Sequence, residues 1–135
     1  MGESAKHLEL VRCILIYVQE NYVGVDHVAM LHDLPGSIGC DKPPKIGEFR
    51  PDVYAVDAPL TKTIIGEAKT QADLETDHTK NQLRAFMRFL RLQDNAVLVL
   101  AVPWQAKARG RTILKALAGE IDAPKTRIVV IDETQ

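Results

Sequence analysis

A chain of 135 residues has room for one hydrophobic core but not two, so a single domain over 1–135 is expected. With 46% hydrophobic and 26% charged residues, the composition excludes a disordered or fibrous chain. The formal net charge of -1 excludes nucleic-acid binding through bulk positive charge, so any such contact must rest on a local patch.

Residues 4–22 carry apolar side chains at Leu8, Val11, Leu15, Val18 and Tyr22, a helical stripe, with Ser4 available as its cap. Gly24 is the expected stop. Within this helix "LELVRCILIYV" is too short to span a bilayer and is broken by Glu9 and Arg12, so no membrane partner is expected. Cys13 and Cys40 form no closely spaced framework, which predicts free thiols and a cytoplasmic protein.

"VDHVAML" reads as a first strand. Residues 33–48 concentrate Pro and Gly without periodicity and predict a long irregular loop, a length usually associated with function or disorder. Then "VYAV" and "TII" read as two strands with charged residues at their ends: Asp52 opens the first, and Glu67 and Lys69 close the second.

Pro59 cannot sit inside a central strand, so the turn between these strands belongs in "APLT". A loop over 58–61 pairs Asp57 with Lys62, and counting outward places Asp52 opposite Glu67. Carboxylates on one face at that spacing, Cβ atoms about 5 Å apart, repel unless something neutralises them. A divalent cation is the natural neutraliser. By strand alternation Lys69 points to the same face as Glu67. Glu-x-Lys on its own recurs by chance and would look the same on a solvated strand end; what adds weight is the Pro-Asp before it and the elements on either side.

In "ADLETDHTKNQLRAFMRFLRLQ", Leu83, Phe86, Met87 and Leu90 make the apolar face of a second helix starting between Leu74 and Thr79. Beside that face Lys80, Arg84, Arg88 and Arg91 form a basic stripe, an arrangement most often simply solvated. "NAVLVLAVPW" is apolar throughout, as suits a strand buried on both faces. "QAKARGRTILKALAGE" is expected to be helical in its second half and to stop at Gly119, and "TRIVVID" closes the chain as a buried strand. Trp104 follows a buried strand and offers a ring on which a base could stack, but packing at the edge of the core is the expected role, and His27, His32 and His78 lack zinc-site spacing. The fold class is α/β, a mixed central sheet flanked by helices.

Pro51-Asp52 followed by Glu67-Ala68-Lys69, on the second and third strands after an N-terminal helix, resembles the PD-(D/E)xK nuclease superfamily. The element order up to "NAVLVLAV" matches its αβββαβ core, leaving an extra C-terminal helix and strand. The resemblance implies a metal-dependent endonuclease acting on DNA, with branched or damaged DNA as candidate substrates. Mg²⁺, with Mn²⁺ as a substitute, would be held by Asp52, Glu67 and the backbone carbonyl of Ala68.

Lys69 would be the catalytic ammonium and Gln82 its support on the second helix. An acidic ligand from the first helix would be Glu9 or Glu20, with Glu9 favoured. Lys80, Arg84, Arg88 and Arg91 become a track for phosphates, which Lys107, Arg109, Arg111 and Lys115 would extend. Ser37 in "PGSIG" sits where archaeal Holliday-junction resolvases carry a Ser-containing loop. A homodimer is implied, since one small subunit cuts one strand. The alternative is a catalytically silent module of the same fold that binds nucleic acid or a protein partner.

Overall fold

Ser4 caps the first helix, α1 (Ala5–Tyr22), by accepting from the His7 N–H at 3.1 Å through its hydroxyl oxygen. This computed structural model describes residues 4–22, 28–35, 42–57 and 62–134. Gly24, His27, Cys40 and the turn around Pro59 lie outside the described residues.

The strands are β1 (Val28–His32), β2 (Val53–Asp57), β3 (Lys62–Ala68), β4 (Asn95–Ala101) and β5 (Thr126–Ile131). They form one sheet in the order β1-β2-β3-β4-β5, antiparallel from β1 to β3 and parallel from β3 to β5. The helices are α2 (Gln71–Leu74), α3 (Asp77–Leu90) and α4 (Lys107–Ile121), the last entered through a 3-10 turn at Trp104–Ala106. This is the expected mixed sheet with an added C-terminal helix and strand.

The register counted from Pro59 holds. Val53 pairs with Gly66 and Val56 with Thr63, which carries Asp52 opposite Glu67. Lys62 N–H donates to the Asp57 side chain at 3.0 Å, closing the other end of the pair.

Two cores flank the sheet. On one side α1 seats Leu10, Ile14 and Val18 against Val53, Ile64 and Val99. On the other, α3 and α4 pack Leu83, Phe86, Met87 and Leu114 against Ile65, Leu98 and Leu100. Each such side chain contributes about 1.5–3 kcal/mol through burial. β4 supplies both cores by alternation, which is why its sequence is apolar at every interior position.

Two glycines allow close approach. A Cβ on Gly66 would lie 2.5 Å from Ile14 Cγ2, so α1 rests directly on β3 one residue before Glu67. A Cβ on Gly110 would lie 3.2 Å from Leu100 Cδ2.

Three expectations need correction. The buried stripe of α1 is Leu10, Val11, Ile14, Val18 and Tyr22; Leu8 and Leu15 are only partly buried, so the helix is rotated from the expected face. α4 is helical from Lys107 and runs past Gly119, because Ile121 still has core to bury. Asp122 ends it in the left-handed conformation at φ 60°, with Ala123 N–H returning to the Ala118 carbonyl. Trp104 is 60% exposed and is no edge-of-core residue, because Ala106 fills the buried position of its turn.

Candidate active site

The N-terminal end of β2 and the C-terminal ends of β3, β4 and β5 lie along one edge of the sheet, where open α/β sheets usually place ligands. Asp52 and Glu67 meet there in a reciprocal arrangement. Asp52 N–H donates to Glu67 Oε1 at 3.1 Å, and Ala68 N–H donates to Asp52 Oδ2 at 2.9 Å. Each carboxylate thus pins the strand that carries the other.

Lys69 Nζ stands 3.3 Å from Glu67 Oε2 and donates to Gln82 Oε1 at 2.5 Å. Its backbone N–H bonds the Ala101 carbonyl at 3.0 Å, tying the end of β3 to the end of β4. Asp52, Glu67, Lys69 and Gln82 are therefore brought together, from β2, β3 and α3.

Sequence reasoning missed His7. Its Nε2 lies 3.2 Å from Asp52 Oδ2, and both side chains are less than one-fifth exposed. The signal was present in the chain: stepping back from Leu10, Val11 and Ile14 by three, four and seven residues lands on His7. With the stripe centred on Leu8, this face is overlooked.

The same rotation disposes of Glu9. It turns away from Asp52 and pairs with Lys6 at 2.9 Å, its side chain 54% exposed. Glu20, the alternative, is exposed further along α1. Neither joins Asp52 and Glu67, and the α1 residue that reaches the site is a histidine.

The electrostatics of Glu67 are unusual. Its carboxyl is pushed well above the ordinary carboxylate range, first by complete burial and second by the charge of Asp52; Lys69 opposes both. Two acidic groups and one ammonium leave an excess of negative charge when both acids ionise. Mg²⁺ fits such a donor set, because it is commonly held by one or two carboxylates and keeps several waters. Among the described residues, no cluster of three or more His, Cys, Asp and Glu side chains could enclose a metal ion. A cation here would rest on Asp52 and Glu67 and complete its shell with other oxygens.

Two depressions open here, one with Asp52 in its lining and one with His7, the partner of Asp52 on α1. One of about 140 Å³ is lined by Asp33, Leu34, Arg50 and Pro51, and one of about 420 Å³ by Ser4, His7, Thr70 and Asp73. The cluster is thus reachable from solvent although Glu67 itself is only 3% exposed.

The basic stripe of α3 does not face the site. Lys80 and Arg84 are each two residues from Gln82, about 200° around the helix. Arg84 instead grips Glu120 of α4 at 2.7 Å, and Arg91 donates to the Ile121 carbonyl at 2.7 Å. Arg109 pairs with Glu75 at 2.8 Å and Lys107 with Asp132 at 3.3 Å. Much of the expected phosphate track is engaged in holding α3, α4 and β5 together. Arg88 is exposed, and Ser37 lies outside the described residues.

No protein-family model matches the chain, and a search of curated proteins finds no match. Among solved structures, it is similar to SfsA from Pyrococcus furiosus, determined in complex with Ca²⁺. The TM-score is 0.55 at 13% identity, and the match covers 91% of this chain. The chain spans about half of that protein, 56% of its length. At this identity the likeness supports the fold, an α/β sheet with flanking helices, and leaves the site to be argued from its own geometry. Among the described residues, no helix is long and apolar enough to cross a membrane.

Proposed function

We propose that the chain is a metal-dependent endonuclease of PD-(D/E)xK type that hydrolyses phosphodiester bonds in DNA. The observation that carries this reading is the reciprocal pair of Asp52 and Glu67 with the Lys69 ammonium 3.3 Å from Glu67. An acid as deeply buried as Glu67, beside another acid, is costly to keep unless ionisation is wanted for a cation. The Ca²⁺ in the SfsA structure supports a divalent cation in proteins of this fold.

A bound Mg²⁺ or Mn²⁺ supplies Lewis-acid polarisation of a phosphate oxygen and a lowered pKa for an attacking water. Asp52 and Glu67 would hold it, and the Ala68 carbonyl would be a third oxygen donor. His7 fixes the orientation of the Asp52 carboxylate from α1. Lys69, steadied by Gln82, presents an ammonium to the negative charge that develops on the phosphate during attack. DNA is the polymer in this reading, and a homodimer supplies two such centres for cutting both strands.

The engagement of Arg84 and Arg109 in ion pairs favours one second reading, a silent module of the same fold. Incubation with supercoiled, linear, single-stranded and four-way-junction DNA, in Mg²⁺, Mn²⁺ or EDTA, separates them. Cleavage that needs the cation and is lost in Lys69→Ala supports the nuclease. Cleavage that survives EDTA or Lys69→Ala overturns it, and binding without cleavage supports the silent module.

A further inference from the structure

The chain contains a single tryptophan, Trp104, and the fold holds it in water at the edge that carries the Asp52–Glu67–Lys69 cluster. Ala101, whose carbonyl accepts the Lys69 N–H, lies only three residues before it. Three residues reach at most about 10 Å, so Trp104 stays on the edge of the sheet that carries the cluster.

The ring is presented on a fixed support. Pro103 enters the 3-10 turn in an extended conformation, and Ala106 N–H closes the turn on the Pro103 carbonyl at 2.8 Å. Trp104 N–H donates to Glu133 Oε1 at 3.1 Å, anchoring the backbone to the end of β5. The core on this side of the sheet takes Ala106, Ile113 and Leu114 and leaves the indole out. A lone exposed apolar residue needs no explanation, and exposed Leu92 is one, before the far end of β4. Trp104 differs in its place and its rigidity.

The charges near it narrow what it could hold. Lys6 is shared between Glu9 and Glu133, and Lys107 is held by Asp132. Both of these cations already face carboxylates, and the chain as a whole is not basic. Beside Trp104, then, Lys6 and Lys107 offer a phosphate little, and a nucleic acid there gains affinity from another kind of contact. Stacking on an indole is the recognition available, and only an unpaired base has a free face to offer.

We infer that Trp104 is a stacking platform for an unpaired base next to the catalytic cluster, so that single-stranded or locally unpaired DNA is preferred over continuous duplex. This takes its polymer from the nuclease reading above and adds the substrate class.

The test uses the full chain in EDTA, with the fluorescence of its one tryptophan as the signal. An oligothymidine is expected to quench the emission, whereas an abasic sugar-phosphate oligomer of equal length and a continuous duplex are not. Trp104→Ala, followed by polarisation of labelled oligothymidine, should weaken binding roughly tenfold, the size of one base–aromatic stack, with Trp104→Phe largely restoring it. Melting curves confirm that both variants fold.

Quenching by the abasic oligomer equal to that by oligothymidine, or unchanged affinity in Trp104→Ala, overturns the inference. So does a dimer that Trp104→Ala dissociates without changing affinity, which would assign the ring to a contact between copies. Cation-dependent cleavage without any stacking signal removes this inference and leaves the nuclease reading intact. Stacking without cleavage in Mg²⁺ or Mn²⁺ does the reverse, and absence of any DNA binding removes both.

Discussion

Asp52 and Glu67 exchange backbone hydrogen bonds across the β2–β3 pair, each accepting through its carboxylate from an N–H on the other's strand. These two acids therefore have a structural duty in the metal-free chain as well as a proposed catalytic one. Their substitution should be read on both stability and activity.

The raised pKa of Glu67 gives stability a definite pH dependence. An acid whose folded pKa lies above its unfolded value of about 4.5 favours the fold while protonated, and that contribution is lost as pH rises from the unfolded toward the folded pKa. The metal-free protein should melt at lower temperature as pH is raised from about 5 into the neutral range, and Glu67→Gln should flatten that decline. Added Mg²⁺, Mn²⁺ or Ca²⁺ should raise the melting temperature more at pH 8 than at pH 5. Thermal melts with and without EDTA check this, and a cation effect equal at both pH values would count against a site on Glu67.

Lys69 and Gln82 should separate in kinetics. Lys69→Ala removes the ammonium aimed at developing charge and should lower kcat about 10²-fold or more with cation affinity preserved. Gln82→Ala removes only its support and should cost about tenfold. Single-turnover cleavage alongside cation titration makes the comparison. Equal losses in the two variants would place both residues in one inseparable unit.

Gly66 sets the distance between α1 and β3. Gly66→Ala puts a methyl 2.5 Å from Ile14 Cγ2 and 3.1 Å from Val53 Cβ, so the Ile14 side chain or the helix that carries it must shift. A loss of about 1–3 kcal/mol is expected in urea unfolding. Because His7 rides on α1 and Glu67 follows Gly66, activity should fall with it. Ile14→Ala is destabilising alone but removes the clashing group, so the double variant should be more stable than the sum of the singles predicts.

Arg84 should not behave as a phosphate contact. It is bound to Glu120 through Nε and Nη2 and to Asn81 through Nη1, on the flank of α3 away from Gln82. Arg84→Ala is expected to leave the salt dependence of DNA binding unchanged. A true phosphate contact would reduce the slope of log K against log salt by about 0.9. Binding isotherms at several salt concentrations decide the point.

The site was largely legible in the chain because its core lies on two adjacent antiparallel strands. Once Pro59 locates the turn, pairing follows by counting, and strand alternation places Glu67 and Lys69 on one side. Gln82 followed from the resemblance of the second helix. The histidine was harder to see, since α1 carries apolar residues around much of its circumference and its sequence does not say which of them face the sheet.

Linear order alone therefore determined the α/β class, the strand register and the acid–acid–lysine cluster, all consequences of local periodicity and of a turn whose position proline restricts. Tertiary structure decided the rest. Gly66 sets the close approach of α1 that brings His7 to Asp52 and turns Glu9 to solvent. The packing of α3 on α4 turned Arg84 from a candidate phosphate ligand into a strut. The burial of Ala106 left Trp104 in water beside the site. Each outcome depends on which surface of one element meets another, and that is fixed by packing across the sheet rather than by spacing along the chain.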